Sequence, residues 1–265
     1  MRLLLFFTLA FAQISIAFAQ NLPHYLTEDE ERALENYTPP KSTYRAADPN
    51  PPGMSVRTVA EWEEADGLFI RWEGTWVRPL LRGIVDHAQE EVVVYIATED
   101  SNSVKNYLSN GSVPITNIVF VDESSNSIWS RDYGQWNIYE NEVGNLRWVD
   151  WIYNRPRPDD DVIPVAFANM LGIPLHQTIN APNDLVNTGG NFMVDGWGTA
   201  FASELVLEEN EPGNPYNVSV KSEADIDTIM KKYMGIERYI KMPTLPYDGI
   251  HHIDMHMKLL DEETI

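Results

Sequence analysis

Cysteine is absent from all 265 residues. The chain therefore carries no thiol nucleophile and folds without disulfides, which a protein of this length can do even in an oxidising compartment. Basic residues are also scarce. Against 40 Asp and Glu stand 19 Lys and Arg, giving a net charge of −21 and a pI of about 4.5. So acidic a surface repels nucleic acid and anionic lipid, argues against both as partners, and favours the approach of cations. Beyond the N-terminus no apolar run is long enough to read as transmembrane.

Residues 1–19 have the form of a secretory signal peptide. Arg2 supplies the positive start, Leu3 to Ala12 the apolar core, and Ala17-Phe18-Ala19 a small-x-small cleavage site before Gln20. Cleavage removes Arg2 and takes the net charge from −21 to −22. A secreted or periplasmic protein with no remaining membrane attachment is expected. Residues 20–58 hold Pro39-Pro40, Pro49 and Pro51-Pro52-Gly53 and read as an extended Pro-rich leader. Residues 59–265 carry the pattern of a folded domain.

That pattern begins with a short apolar strand, Leu68 to Trp72. A helix from Arg78 to Glu90 follows, with Leu80, Leu81, Ile84, Val85 and Ala88 at helical spacing. Val92 to Ala97 suits a buried strand, Ser101 to Leu108 a helix, and Ile118 to Val121 a strand. Next come strands Ser130 to Tyr139 and Leu146 to Tyr153 around a turn at 141–145, a helix Asp160 to Leu171 and a strand Ile173 to Gln177. Strands Asn191 to Asp195 and Ala200 to Leu207 precede a helix from Ser222 to Met234, capped by Ser222, and a strand from Glu237 to Lys241. His252 to Lys258 alternates polar and apolar residues. As a strand it places His252, Asp254 and His256 on one face. Unit starts near Asp66, Trp129, Thr188 and His251 recur at roughly sixty residues, which suggests a strand-strand-helix-strand repeat whose faces are buried by neighbouring units.

Polar clusters open three of these units: Trp129-Ser130-Arg131-Asp132-Tyr133-Gly134, Thr188-Gly189-Gly190-Asn191 and His252-Ile253-Asp254. Around a common axis they converge on one pocket. Asp132 and Asp254 there supply two anions for a cation, Trp129 a flat ring and His252 a proton carrier, a set that suits a planar guanidinium. Taken singly, each cluster has a plainer explanation: Asp132 with Arg131 as a surface ion pair, Trp129 as core, Gly189-Gly190 as a turn.

Trp-Ser-Arg-Asp-Tyr-Gly, Thr-Gly-Gly-Asn-Phe-Met-Val-Asp-Gly and His-Ile-Asp-Met-His resemble motifs of the agmatine deiminase and bacterial secreted peptidylarginine deiminase family. Ala60-Glu61-Trp62-Glu63 is similar to its opening motif. The resemblance runs from Val59 to Ile265. It implies an α/β (α+β) pentein-type β/α propeller, of which about three and a half of five units would be present, the domain being truncated at its C-terminus. It further implies that Asp132 and Asp254 bind the guanidinium, that His252 is general acid and base, that Trp129, Gly190 and Asn191 line the pocket, and that no cofactor or metal is needed. In such enzymes a cysteine thiolate attacks the guanidinium carbon. This chain has none, so binding without turnover is expected of it.

Asn154-Arg155-Pro156-Arg157-Pro158 bears on the substrate. Two arginines stiffened by prolines can clamp a carboxylate, and in the secreted peptidylarginine deiminases the same run recognises a substrate's C-terminal carboxylate. This favours arginine in peptides over agmatine, which has no carboxylate. Alternatively both arginines offset Asp159, Asp160 and Asp161. Two readings from other classes remain: a zinc hydrolase using His252, Asp254 and His256, and a secreted binding module whose eight Trp form platforms.

Overall fold

The computed structural model describes residues 22–40, 47–141 and 144–265; the expected signal segment and part of the turn at 141–145 lie outside them. Within the leader, Glu28–Leu34 forms helix α1 rather than extended chain. Its cause is a capping box. Thr27 Oγ1 accepts the Glu30 N–H at 3.3 Å, and Glu30 Oε2 accepts the Thr27 N–H at 2.9 Å. The leader then supplies β1 (Ala47–Asp48) and β2 (Val56–Thr58), the two edge strands of a five-stranded sheet, so it wraps the domain by closing both edges.

The next segment is wholly parallel: β3 (Gly67–Arg71), α2 (Arg78–Ala88), β4 (Val93–Thr98), α3 (Ser101–Asn110) and β5 (Ile118–Asp122), with Phe69 opposite Tyr95 and Tyr95 opposite Val119. Parallel neighbours need crossovers, and the two helices provide them. Val85, Val104 and Leu108 on the helices close over Ile70, Val94 and Ile96. Central β4 is covered on both faces, which is why its sequence is a continuous apolar run.

The middle of the chain gives α4 (Ser130–Tyr133), β6 (Trp136–Glu140), β7 (Leu146–Asp150), β8 (Ile152–Tyr153), α5 (Pro158–Asp161), α6 (Ile163–Leu171) and β9 (Leu175–Gln177). Then come β10 (Val186–Asn187), β11 (Met193–Val194), β12 (Thr199–Ser203), α7 (Leu205–Glu208), α8 (Glu223–Met234) and β13 (Arg238–Met242). One topology occurs twice. β6 and β7 are antiparallel and β9 returns parallel to β7; β11 and β12 are antiparallel and β13 returns parallel to β12. The first sheet, all parallel, departs from that pattern. The architecture is a mixed α/β fold with several sheets.

Trp136, Trp151 and Phe192 join the second and third segments, with ring centroids 4.7 to 5.8 Å apart. Helix α8 packs Ile226, Ile229, Met230, Tyr233 and Met234 into that cluster along one stripe, each burial stabilising by about 2 kcal/mol before entropy. Ser222 caps its start. Gly235 ends it at φ 71°, where a Cβ would also strike the Val56 carbonyl.

Several expected elements differ. The strand from Ser130 opens with the helical turn α4. The helix from Asp160 splits in two at Val162, because Pro158 and Pro164 each begin a new helix start. The strand from Ala200 stops at Ser203. The strand expected at His252 to Lys258 is instead a 3₁₀ turn at Ile253–Met255, with the Met257 N–H on the Ile253 carbonyl at 3.0 Å. His252 and Ile253 are buried while Asp254, Met255 and His256 are exposed, so the one-face row of His252, Asp254 and His256 does not exist.

Candidate active site

Helix α4 is a single turn, closed by the Gly134 N–H on the Ser130 carbonyl at 2.9 Å. It turns Asp132 inward, and its side chain meets His252: Asp132 Oδ1 lies 3.4 Å from His252 Nδ1, with both side chains at least nine-tenths buried. The pair comes from segments 120 residues apart in sequence, brought together by the buried 3₁₀ turn Gly189–Asn191. A Cβ on Gly190 would stand 2.4 Å from His252 Nδ1 and 2.8 Å from Asp132 Oδ1. Glycine is required there because the pair occupies the space.

Asn191 fixes the histidine's segment. Its Oδ1 accepts the N–H groups of Ser203 at 2.8 Å and Ile253 at 3.3 Å, and its Nδ2 donates to the Ser203 carbonyl at 3.4 Å. Ser203 Oγ in turn donates to the carbonyl of His251. His251 sits at φ 58°, a left-handed conformation costly for a residue with a side chain and held here by its neighbours. Gly190 and Asn191, expected to line the pocket, therefore position the pair instead.

Burial sets the charges. It pushes the Asp132 carboxyl up to about 7, with Arg155 and Asp254 acting in opposite directions as lesser influences. Burial, then the Arg155 charge, lowers His252 to about 3, so its imidazole is neutral across the physiological range. His252 Nε2 is buried and has no hydrogen-bond partner among the described residues. A neutral imidazole beside a carboxyl near its titration point can take up a proton and pass it on.

Asp254, expected to grip the same cation, is exposed, beyond the buried pair; its charge reaches Asp132 and Arg131 through space. Arg131 does not form a surface pair with Asp132. Its Nη2 lies 3.0 Å from Glu61 of the expected opening motif, and its guanidinium sits 5.6 Å from the Trp136 ring centre. A cleft of about 940 Å³ beside α4 is lined by Glu61, Arg131, Trp136, Phe167 and Lys258, but not by Asp132 or His252.

The other predicted contacts meet the leader. Trp129 Nε1 donates to the Leu22 carbonyl at 2.8 Å, and its ring meets His24 edge-on at 5.1 Å. Arg155 is buried; its Nε and Nη2 donate to the His24 carbonyl at 3.2 and 2.9 Å, and its Nη1 to the Asn154 carbonyl at 2.7 Å. Arg157, fully buried, holds Glu30 through Nε at 2.7 Å and Nη2 at 3.3 Å. The nearby acids are used elsewhere. Asp160 accepts from Asn126 and Ser127, and Asp161 from the Tyr153 N–H. Behind the arginines, Glu209 accepts from Asn154 Nδ2 at 2.7 Å, and burial pushes its carboxyl up to about 7.

His24, Glu30, Ser203 and Glu209 were not anticipated. Only Glu30 left a readable signal, the Thr27-x-x-Glu30 capping box. Among the described residues no three His, Cys, Asp or Glu side chains are grouped to hold a metal ion, and the dispersal of His252, Asp254 and His256 explains why that set fails.

The mixed α/β fold with several sheets matches that of solved agmatine and arginine deiminase structures. Three solved structures share it: the Campylobacter jejuni agmatine deiminase (22% identity, TM-score 0.61, 78% of this chain and 61% of that one), the Enterococcus faecalis agmatine deiminase (21%, 0.61, 78% and 60%) and an arginine deiminase homologue of Porphyromonas gingivalis (19%, 0.61, 74% and 60%). More narrowly, the chain belongs to the Porphyromonas-type peptidyl-arginine deiminase family, whose model matches residues 57–265. Curated relatives include proteins named as candidate agmatine deiminases in Mycoplasma mycoides and Mycoplasma capricolum, each 27% identical over 209 residues, 71% of this chain and 53% of the relative. The chain thus spans about half the length of the curated relatives it matches.

Proposed function

We propose that this chain carries the guanidinium-binding and proton-transfer groups of a hydrolase that converts arginine in peptides to citrulline and ammonia. The observation that carries this is the buried Asp132–His252 pair, held at 3.4 Å by a glycine that leaves it room. Asp132 accepts from the guanidinium and stabilises its charge. A thiol passes its proton to the neutral His252 imidazole as its sulfur adds to the guanidinium carbon, and the C–N bond to a terminal nitrogen breaks as His252 hands that proton on to the nitrogen. Ammonia leaves. Water then adds to the same carbon, giving a proton to His252, and the C–S bond breaks to return the thiol and release the ureido product. The thiol is not among these 265 residues, so the chain as it stands binds without turnover.

Fold likeness supports the finer architecture we assign, a pentein-type propeller with about three and a half of five units in residues 59–265. Residues 1–19 act as a signal peptide in this reading, and N-terminal sequencing of exported protein starting at Gln20 is its test. Agmatine is the second substrate reading, favoured by the names of the curated relatives and by a C. jejuni agmatine deiminase structure with substrate bound. Calorimetric titration separates the two. A peptide ending in free arginine should bind, the same peptide as its amide more weakly, and Asp132→Asn should weaken both strongly. Tighter binding of agmatine than of either peptide would move the assignment to agmatine. Silence from every guanidine would end the functional reading.

A further inference from the structure

Trp129, Arg155 and Arg157, three of the side chains that the substrate reading places around the ligand, already have an occupant, and that occupant is one stretch of the leader. The Leu22 carbonyl takes the Trp129 indole N–H at 2.8 Å. The Pro23 carbonyl takes Arg157 Nη2 at 2.6 Å, the His24 carbonyl takes two N–H groups of Arg155, and the Glu30 carboxylate takes Arg157 in a two-point pair. We propose that residues 22–30 are a built-in occupant of the carboxylate subsite, a strap whose first part, residues 22–26, a substrate's C-terminal carboxylate must displace. This rests on the functional reading above.

The two arginines are held differently, and the difference defines how the strap works. Arg157 faces a full negative charge. Glu30 is itself fixed by the Thr27 capping box, and α1 behind it is anchored where Leu34 packs with Ile152, Val186 and Tyr216. That end is a tether. Arg155 has only neutral acceptors, the His24 and Asn154 carbonyls, although it is 5% exposed. Its only direct partners among the described residues are carbonyls. A carboxylate offers a guanidinium a full opposite charge and two oxygens matched to its paired N–H groups, which a single neutral carbonyl does not. An incoming carboxylate therefore outcompetes the His24 carbonyl at Arg155, and residues 22–26 peel away while α1 stays docked. A wall that merely shapes the pocket would behave in the opposite way, becoming more rigid as ligand binds.

The test is hydrogen exchange across residues 22–30 of the 265-residue protein, free and saturated with a short peptide ending in arginine, with its C-terminal amide, or with agmatine, binding being followed in parallel by calorimetry. The strap predicts faster exchange at 22–26 with the free-acid peptide alone. Glu30→Gln, which keeps a helix-capping side chain, loosens the tether; free-acid affinity should rise by about tenfold as the competent state becomes more populated, with the amide unchanged. Binding of the free acid with 22–26 unmoved or better protected overturns the strap and leaves the functional reading intact. Weaker free-acid binding by Glu30→Gln overturns it as well, since the leader would then be helping to hold the ligand. If no guanidine binds either protein, the functional reading fails and this inference with it.

Discussion

Guanidinium binding should depend on pH in a way that an ordinary surface carboxylate could not produce. The cation is attracted by ionised Asp132, and burial raises that carboxyl to about 7. A guanidinium keeps its charge throughout the accessible range, and His252, lowered to about 3 by burial, stays neutral down to pH 5. The sign follows. Protons compete with the ligand for Asp132, so affinity is full above pH 7 and is lost as pH falls through it. At pH 5 the carboxyl is about 1% ionised, which weakens binding about 100-fold, or about 2.7 kcal/mol at 1.36 kcal/mol per unit.

Calorimetric titration of arginine amide from pH 8 to 5 reads this directly. Near pH 7 binding should also release about half a proton, visible as a dependence of the apparent enthalpy on the buffer's ionisation heat. Asp132→Asn should bind weakly with a flat profile. A constant affinity down to pH 5, or a break near 4 where exposed carboxylates titrate, would refute the assignment of Asp132 as the guanidinium's partner.

Three further outcomes follow, two from packing around the pair and one from a separate buried ion pair. Gly190→Ala inserts a methyl 2.4 Å from His252 Nδ1, so guanidine affinity should fall at least about tenfold with a stability loss of about 2 kcal/mol in urea unfolding; unchanged affinity would mean the pair is not the site. Asn191→Ala strands the buried N–H groups of Ser203 and Ile253, and should cost about 3 kcal/mol while loosening His252, seen as broadening of its imidazole resonances. Asp184 holds buried Lys221 at 2.8 Å; burial opposes its charge, but Lys221 and Ser219 hold it below the usual carboxylate range. Its contribution is therefore present above an unfolded carboxylate's pKa of about 4 and is lost as pH falls through the lower folded value, so Asp184→Asn should cost about 3 kcal/mol at pH 7 and progressively less below pH 4.

The parts of the fold that could be read from sequence are those whose pattern has a single cause. β4 is apolar because both faces are covered, and α8 starts at its Ser222 cap and ends at Met234, as its sequence suggests. The His252 segment misled because two patterns coincide. Ile253 and Met257 are four residues apart, the spacing at which a helical turn puts both toward Met193 and Leu259, and in between Met255 completes an apparent alternation although it is exposed. The convergence of Asp132, Gly190 and His252 was legible from their motifs. The partners of Arg155 and Arg157 were not. They lie 131 and 127 residues away in a leader whose prolines suggested extended chain, and only its capping box announced a helix able to hold Glu30 in place.

The charges of the site bear on which ligand completes it. Without ligand, the Asp132–His252 pair is close to neutral at its titration point, and Arg155 is a buried cation whose hydrogen-bond partners among the described residues are carbonyls, the Glu209 and Asp132 carboxyls feeling its charge through space. An arginine with a free carboxylate brings one charge of each sign. Its guanidinium favours ionised Asp132, whose proton is released to solvent, and its carboxylate compensates Arg155, so both ends of the ligand meet an opposite charge. Agmatine brings two cations. One suits Asp132, while the other enters a region already under the positive field of Arg155, the field that helps lower His252. Unless the amine reaches Asp254 or the acidic exterior, that repulsion is uncompensated. The electrostatics of this chain therefore support a zwitterionic end group over a dication, and they do so through Arg155, the residue on which the leader's hold is weakest.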